Sequence, residues 1–196
     1  MPNHVTNIIH LHGDAEQIQK LRQAVMNDRF GPGSIDFEKV IPMPDDIFRG
    51  DIDVSQRSRY GEKNWYDWSI KNWGTKWNAY GFDELRGHQG ADTICFMTAW
   101  KAPHDVIGHL AQMYPDLELE HNWADDDLGN NCGRRVYSNG VLDSVYEPEY
   151  GRESQEHAAS VRGEELADRG LVLNEEGTEY VYRESEETFD ISMSGM

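Results

Sequence analysis

Thr93–Trp100 constrains this chain most. Ile94, Phe96 and Trp100 alternate with Cys95, Met97 and Ala99, so the run is apolar on both parities. A strand of that kind needs cover on both faces, which places it inside a sheet rather than at an edge. The segments around it read as alternating strands and helices. His4–His12 is a strand, with Val5, Ile9 and Leu11 on one parity and His4, Ile8, His10 and His12 on the other. Gly13 and Asp14 turn the chain, Asp14 caps a helix over Ala15–Asn27, and Ile18, Leu21, Ala24 and Val25 form its apolar stripe. Ile35–Ile41 reads as a second strand, ended by Pro42 and Pro44. Pro103 opens a helix that runs on through His104–Met113, and Leu117–Trp123 alternates cleanly as a further strand.

Two βαβ halves in this order predict an α+β fold: a ferredoxin-like βαβ-βαβ antiparallel sheet with both long helices on one face. The name denotes topology only, since two cysteines cannot hold an iron–sulfur cluster of the usual kind. The expected organisation is a ferredoxin-like domain over residues 1–135, carrying a helical, Trp-rich insertion at about 42–91. A hairpin and an acidic C-terminal extension then occupy 136–196. Within the insertion, Asp45–Gly61 reads as irregular, Tyr66–Trp73 as a helix ended by Gly74, and Gly81–Ala91 as a loop. The hairpin spans Arg135–Tyr146 around Asn139-Gly140. Beyond Arg152, Leu166–Leu173 suggests a short helix, Tyr180–Tyr182 a strand, and Ile191–Met196 a frayed end.

The net charge of −18 comes from 36 acidic against 18 basic residues. That balance repels phosphate backbones, so direct binding of nucleic acid is not expected without a local basic patch. Only Arg134–Arg135 and scattered lysines are visible in the sequence. The charge suits attraction to a basic protein partner. No apolar run reaches the ~20 residues of a membrane span, and the N-terminus lacks the pattern of a signal peptide. A cytoplasmic protein without a cofactor is therefore expected.

Four of the six tryptophans fall in thirteen residues: Trp65, Trp68, Trp73 and Trp77. Indoles on several sides of one helix read mainly as core, each burying about 150–250 Å². The other reading is an aromatic interaction patch, which Lys71 and Lys76 would help to meet an anion. On the first strand, His10 and His12 share a face with Glu118 and Glu120 of the strand expected beside it. Two histidines and two carboxylates are a candidate metal set, against the plainer reading of a solvated polar face. Asp125, Asp126 and Asp127 form an acidic loop without the spacing of a calcium-binding EF-hand, and remain interaction candidates. Cys132 lies near two arginines that could activate a thiol, but no nucleophile, nucleotide or zinc-protease motif accompanies it.

Three stretches carry a resemblance: Met1–Asn7; the block Tyr66–Tyr80; and Thr98–Pro103 with Ala124–Gly133. Together they resemble the YubB/Api-type ferredoxin-like domain family of phage, plasmid and bacterial proteins, over roughly residues 1–135. The resemblance implies the ferredoxin-like fold and an origin in mobile genetic elements or their hosts. It brings no established activity and no catalytic residues. The functional expectation is a non-enzymatic acidic interaction protein that blocks a basic nucleic-acid-binding or defence factor. The alternative is a metal-assisted hydrolase using the His10/His12/Glu118/Glu120 face.

Overall fold

A computed structural model of the protein describes residues 2–183. The strands β1 (His4–His12), β2 (Thr93–Ala99), β3 (Glu118–Asp125), β4 (Cys132–Ser138) and β5 (Val141–Tyr146) form one antiparallel sheet in the order β2-β1-β3-β4-β5. The helices are α1 (Ala15–Val25), α2 (Val54–Tyr60), α3 (Trp65–Asn72), α4 (His104–Met113) and α5 (Arg152–Arg162). A separate two-stranded ribbon pairs β6 (Leu171–Leu173) with β7 (Tyr180–Tyr182).

Helices α1 and α4 pack on one face. Ile18, Leu21 and Val25 of α1 and Val106, Ile107 and Leu110 of α4 meet Ile9, Leu11, Ile94, Phe96 and Leu119 in a single core. Asp14 starts α1 by accepting from the Glu16 and Gln17 N–H groups, which relieves two of the unpaired donors at a helix start. The second face carries Ile8, Cys95, Ala124 and Cys132, and α5 covers these with Ala158 and Val161. The extension thus supplies a helix to the face that α1 and α4 leave open.

One expected strand is absent. Ile35–Ile41 contains a single 3₁₀ turn at Phe37–Lys39, not a strand. Asp36 Oδ1 accepts from Glu38 N and from Asn78 Nδ2, while Asn78 Oδ1 accepts from Phe37 N at 2.9 Å. Side chains thus hold the Phe37 and Glu38 N–H groups, while Lys39, Val40 and Ile41 N bond back to Asp36 O and Phe37 O, so these donors are not available to a ladder. Gly33 and Tyr80 occupy the outer edge of β2 instead: Cys95 N donates to Gly33 O, and Tyr80 and Met97 exchange two backbone bonds. The apolar residues of the segment still reach the core, with Ile35 and Phe37 fully buried.

Other differences are smaller. The sheet continues through β4 and β5, so a division at residue 135 falls inside β4. Asn139 and Gly140 close that hairpin with φ of 54° and 76°, the left-handed pair that a tight two-residue turn requires. Residues read as irregular in the insertion include α2, which buries none of its side chains. Leu166–Leu173 is a series of turns leading into β6 rather than a helix. Ile191–Met196 lies outside the described residues.

Candidate functional site

The tryptophan block divides between core and surface. Asn64 caps α3 by accepting from Asp67 N, and Gly74 at φ 76° turns the chain just beyond Trp73. Trp73 is buried, donates from Nε1 to Ile41 O at 2.9 Å, and packs edge-on against Phe37. Trp65 and Trp68 are half-buried against the same core. Trp77 is exposed, and Lys76 Nζ lies 4.6 Å from its ring centroid.

The same lysine approaches a tryptophan from outside the block. Lys76 Nζ is 5.0 Å from the ring of Trp100, whose side chain is 39% exposed. Trp100 has φ 71°, and Lys101 N donates to Ala99 O across it. A positive φ with that bond defines the strained form of the γ-turn. Such a conformation persists only where its surroundings fix it, and here every carbonyl of the turn is held. Thr75 Oγ1 donates to Ala99 O, Asn131 Nδ2 to Trp100 O, and Thr98 Oγ1 to Lys101 O. Trp100 N donates in turn to Asn3 O. The ring so presented, together with Ile70, lines two clefts. One, of about 690 Å³, includes Tyr66, Trp68 and Lys71; the other, of about 380 Å³, includes Gly74, Lys101 and His104.

The Asp125–Asp127 loop is a structural joint. Asp125 is buried and accepts from Asn3 Nδ2, Asn131 Nδ2 and Asp127 N at 2.9–3.0 Å. Asp126 accepts from His4 N and from Arg162, tying β1 to the end of α5. Burial alone would raise the Asp126 carboxyl, but the Arg162 and His4 contacts hold it below its ordinary value. Only Asp127 of the three is exposed without an ion pair among the described residues. Asp125→Ala is expected to cost about 2 kcal/mol by stranding its donors, measured by urea unfolding.

The strand register sets His10 opposite Glu120 and His12 opposite Glu118. The four do not make a metal centre: among the described residues no three His, Cys, Asp or Glu side chains are placed to hold an ion. Glu120 accepts from Asn122 Nδ2 and Glu118 from Ser138 Oγ, and His12 is exposed. Cys132 is buried beneath α5, which pushes its thiol up to about 11 and removes the thiolate a nucleophile needs.

A polar cluster that the sequence did not disclose lies under the start of α4. His121 is fully buried, and its Nε2 faces Asn7 Oδ1 at 3.0 Å. The Asn7 amide donates to Val5 O and Thr98 Oγ1, so its oxygen is the acceptor and His121 is the Nε2–H tautomer. His104 packs edge-on against His121 and Trp123, and the Nδ1 atoms of both histidines lack partners. Alternation could have placed His121 inward with Leu119 and Trp123; its partner 114 residues away could not be foreseen.

The C-terminal side is the most acidic. From Asp143 to Arg183 the chain holds eleven acidic and four basic residues. Arg152 pairs with Glu156, Arg162 with Asp126 and Glu164, and Arg169 with Glu164. Asp143, Glu149, Glu153, Glu165, Asp168, Glu175 and Glu176 are exposed without an ion pair among the described residues.

A five-stranded antiparallel sheet with helices on both faces and this strand order is an α+β domain of the ferredoxin-like class. Residues 72–167 match the model of a ferredoxin-like domain in Api92-like protein. The chain carries a domain of this Api-type ferredoxin-like family. The matched region takes in Trp73, Trp77 and Trp100 and continues through β4, β5 and α5, beyond the limit near residue 135 that the resemblance suggested. No curated protein and no solved structure matches the chain. No helix among the described residues is long and apolar enough to cross a membrane.

Proposed function

We propose that the protein is a non-enzymatic binding module that engages a basic protein through its acidic C-terminal side. The carrying observation is the state of the cations there. Three of the four arginines there, Arg152, Arg162 and Arg169, are engaged in internal ion pairs, whereas seven carboxylates face solvent without one among the described residues. A surface of that kind attracts lysine- and arginine-rich partners and competes with phosphate for them. Blocking a basic nucleic-acid-binding or defence factor is the role this chemistry fits. The setting in a mobile genetic element or its host, and with it a cytoplasmic location, rests on the family resemblance.

The test is capture from a host extract with the full chain and with a variant combining Glu165→Gln, Asp168→Asn, Glu175→Gln and Glu176→Gln. Capture is compared at about 0.1 M and about 1 M salt, between which the screening length falls from about 10 Å to about 3 Å. The expected result is a basic protein retained by the native chain at low salt and released both by high salt and by the four substitutions. A partner retained through both changes would overturn the electrostatic reading.

A further inference from the structure

We propose that the two clefts beside Trp100 form a binding site for a nucleotide, with the base stacked on the indole and the phosphates held by Lys71, Lys76 and Lys101. The lysines are the first observation. Of the six in the chain, Lys20, Lys39 and Lys63 are paired with Glu16, Asp28 and Asp46. Lys71, Lys76 and Lys101 have no carboxylate within ion-pair distance among the described residues, in a protein where acids outnumber bases two to one. All three lie about one side chain. Lys76 Nζ is 5.0 Å from the Trp100 ring, Lys71 lines the larger cleft with Trp100, and Lys101 lines the smaller one. Like charges brought together repel, and an anion between them removes the repulsion. Of the three carboxylates lining the two clefts, Asp67 is already engaged by Asn64 and faces Arg57 at 3.8 Å, while Glu62 and Asp105 are exposed.

The second observation is the ring itself. Trp100 is held in a strained turn by three hydrogen bonds with other segments (Asn3, Thr75 and Asn131) and one from Thr98, yet its indole is left partly open to solvent. Burial does not account for a bulky residue at that φ, since glycine or asparagine would accept it with less strain. Tyr66 meets the ring edge-on at an interplanar angle of 80° and does not stack on its face. An exposed indole takes the flat face of a base, and neighbouring lysines take its phosphate. The scattered lysines of the sequence are thus gathered by the fold into the local basic patch that composition alone did not reveal. The site is independent of the acidic surface: its residues carry none of the four substitutions above.

Equilibrium dialysis with ATP, adenosine and inorganic tripolyphosphate, in magnesium-free buffer, tests the proposal. ATP is expected to bind at least about ten-fold more tightly than either part alone, the scale of one base-on-aromatic stack. Trp100→Gly, which accepts the positive φ, is expected to weaken ATP binding about ten-fold while the chain stays folded by circular dichroism. Trp100→Asn is the second variant, and Lys71→Gln, at an exposed position, stands as a third should the turn variants fail to fold. A short oligodeoxyadenylate separates the sources. Equal or weaker affinity than ATP marks a free nucleotide; affinity about ten-fold tighter marks the end of a single strand. In the latter case the log–log salt slope is about −2 for three lysines, and Lys71→Gln lowers its magnitude by about 0.7. ATP binding no tighter than that of adenosine or tripolyphosphate, or unchanged in the folded Trp100 and Lys71 variants, would overturn the proposal.

Discussion

Phe37→Ala is expected to cost about 4 kcal/mol, within the range for deleting a buried phenyl ring. Phe37 is fully buried and stands edge-on to Trp73 at 5.7 Å and to Phe96 at 5.6 Å. It therefore joins the insertion to the central sheet, and its loss opens a cavity between the two. Edge-to-face pairs add about 0.5–1.5 kcal/mol each beyond burial. Against a total stability of about 5–15 kcal/mol, the loss is a large fraction, and a fall in Tm of about 8–16 °C should accompany it at this chain length. A companion variant tests why the segment is not a strand. Asn78→Ala removes the acceptor of Phe37 N–H and a donor to Asp36, and should cost about 1–2 kcal/mol. If Phe37 lay in a ladder, its N–H would be paired to backbone and Asn78→Ala would be nearly silent. Urea unfolding of both variants decides between these outcomes.

The same segment shows where sequence reasoning reached its limit. Strands and helices with one large-residue apolar face were legible: β1 is bounded by His4 and His12 as its alternation requires, and α1 starts at the cap that Asp14 supplies. Ile35–Ile41 carries strand-like apolar content too, but its conformation is decided by Asn78, some forty residues away. Helix α2 was missed because Val54–Tyr60 has no apolar stripe. Its one local sign is Asp53 with Gln56 three residues on, a helix-start pairing in which Asp53 Oδ1 accepts from Gln56 N. Helix α5 buries Ser154, Gln155, Ala158, Ala159 and Val161. Small and polar residues of that kind leave a weak periodic signal, so the segment reads only as acidic. The lysines at Trp100 were visible singly; their convergence depends on α3 and its following turn meeting the end of β2, where Thr75 donates to Ala99 O.

Mild acid is expected to destabilise the protein through buried His121 and half-buried His104, well before most carboxylates titrate. Burial, reinforced by the Arg135 charge, pushes His104 down from 6.5 to about 4, with Glu147 opposing the shift. Burial, then His104 and Arg135, pushes His121 well below 6.5. In the unfolded chain both rings titrate near their ordinary value, so below pH 6.5 the unfolded state binds more protons than the folded one. Stability from these groups is complete above that pH and falls as the pH drops through the window from about 6.5 towards 4. At pH 5 the loss from His104 is about 2 kcal/mol, and His121 adds to it in the same direction. The structural cause is specific: His121 Nε2–H already donates to Asn7, and a second proton would sit on an Nδ1 that has no acceptor. Urea unfolding at about pH 7.5 and about pH 5 measures the loss, and His104→Gln should reduce the difference by about 2 kcal/mol. A stability unchanged between the two pH values would show that protonated His104 and His121 are accommodated in the folded protein.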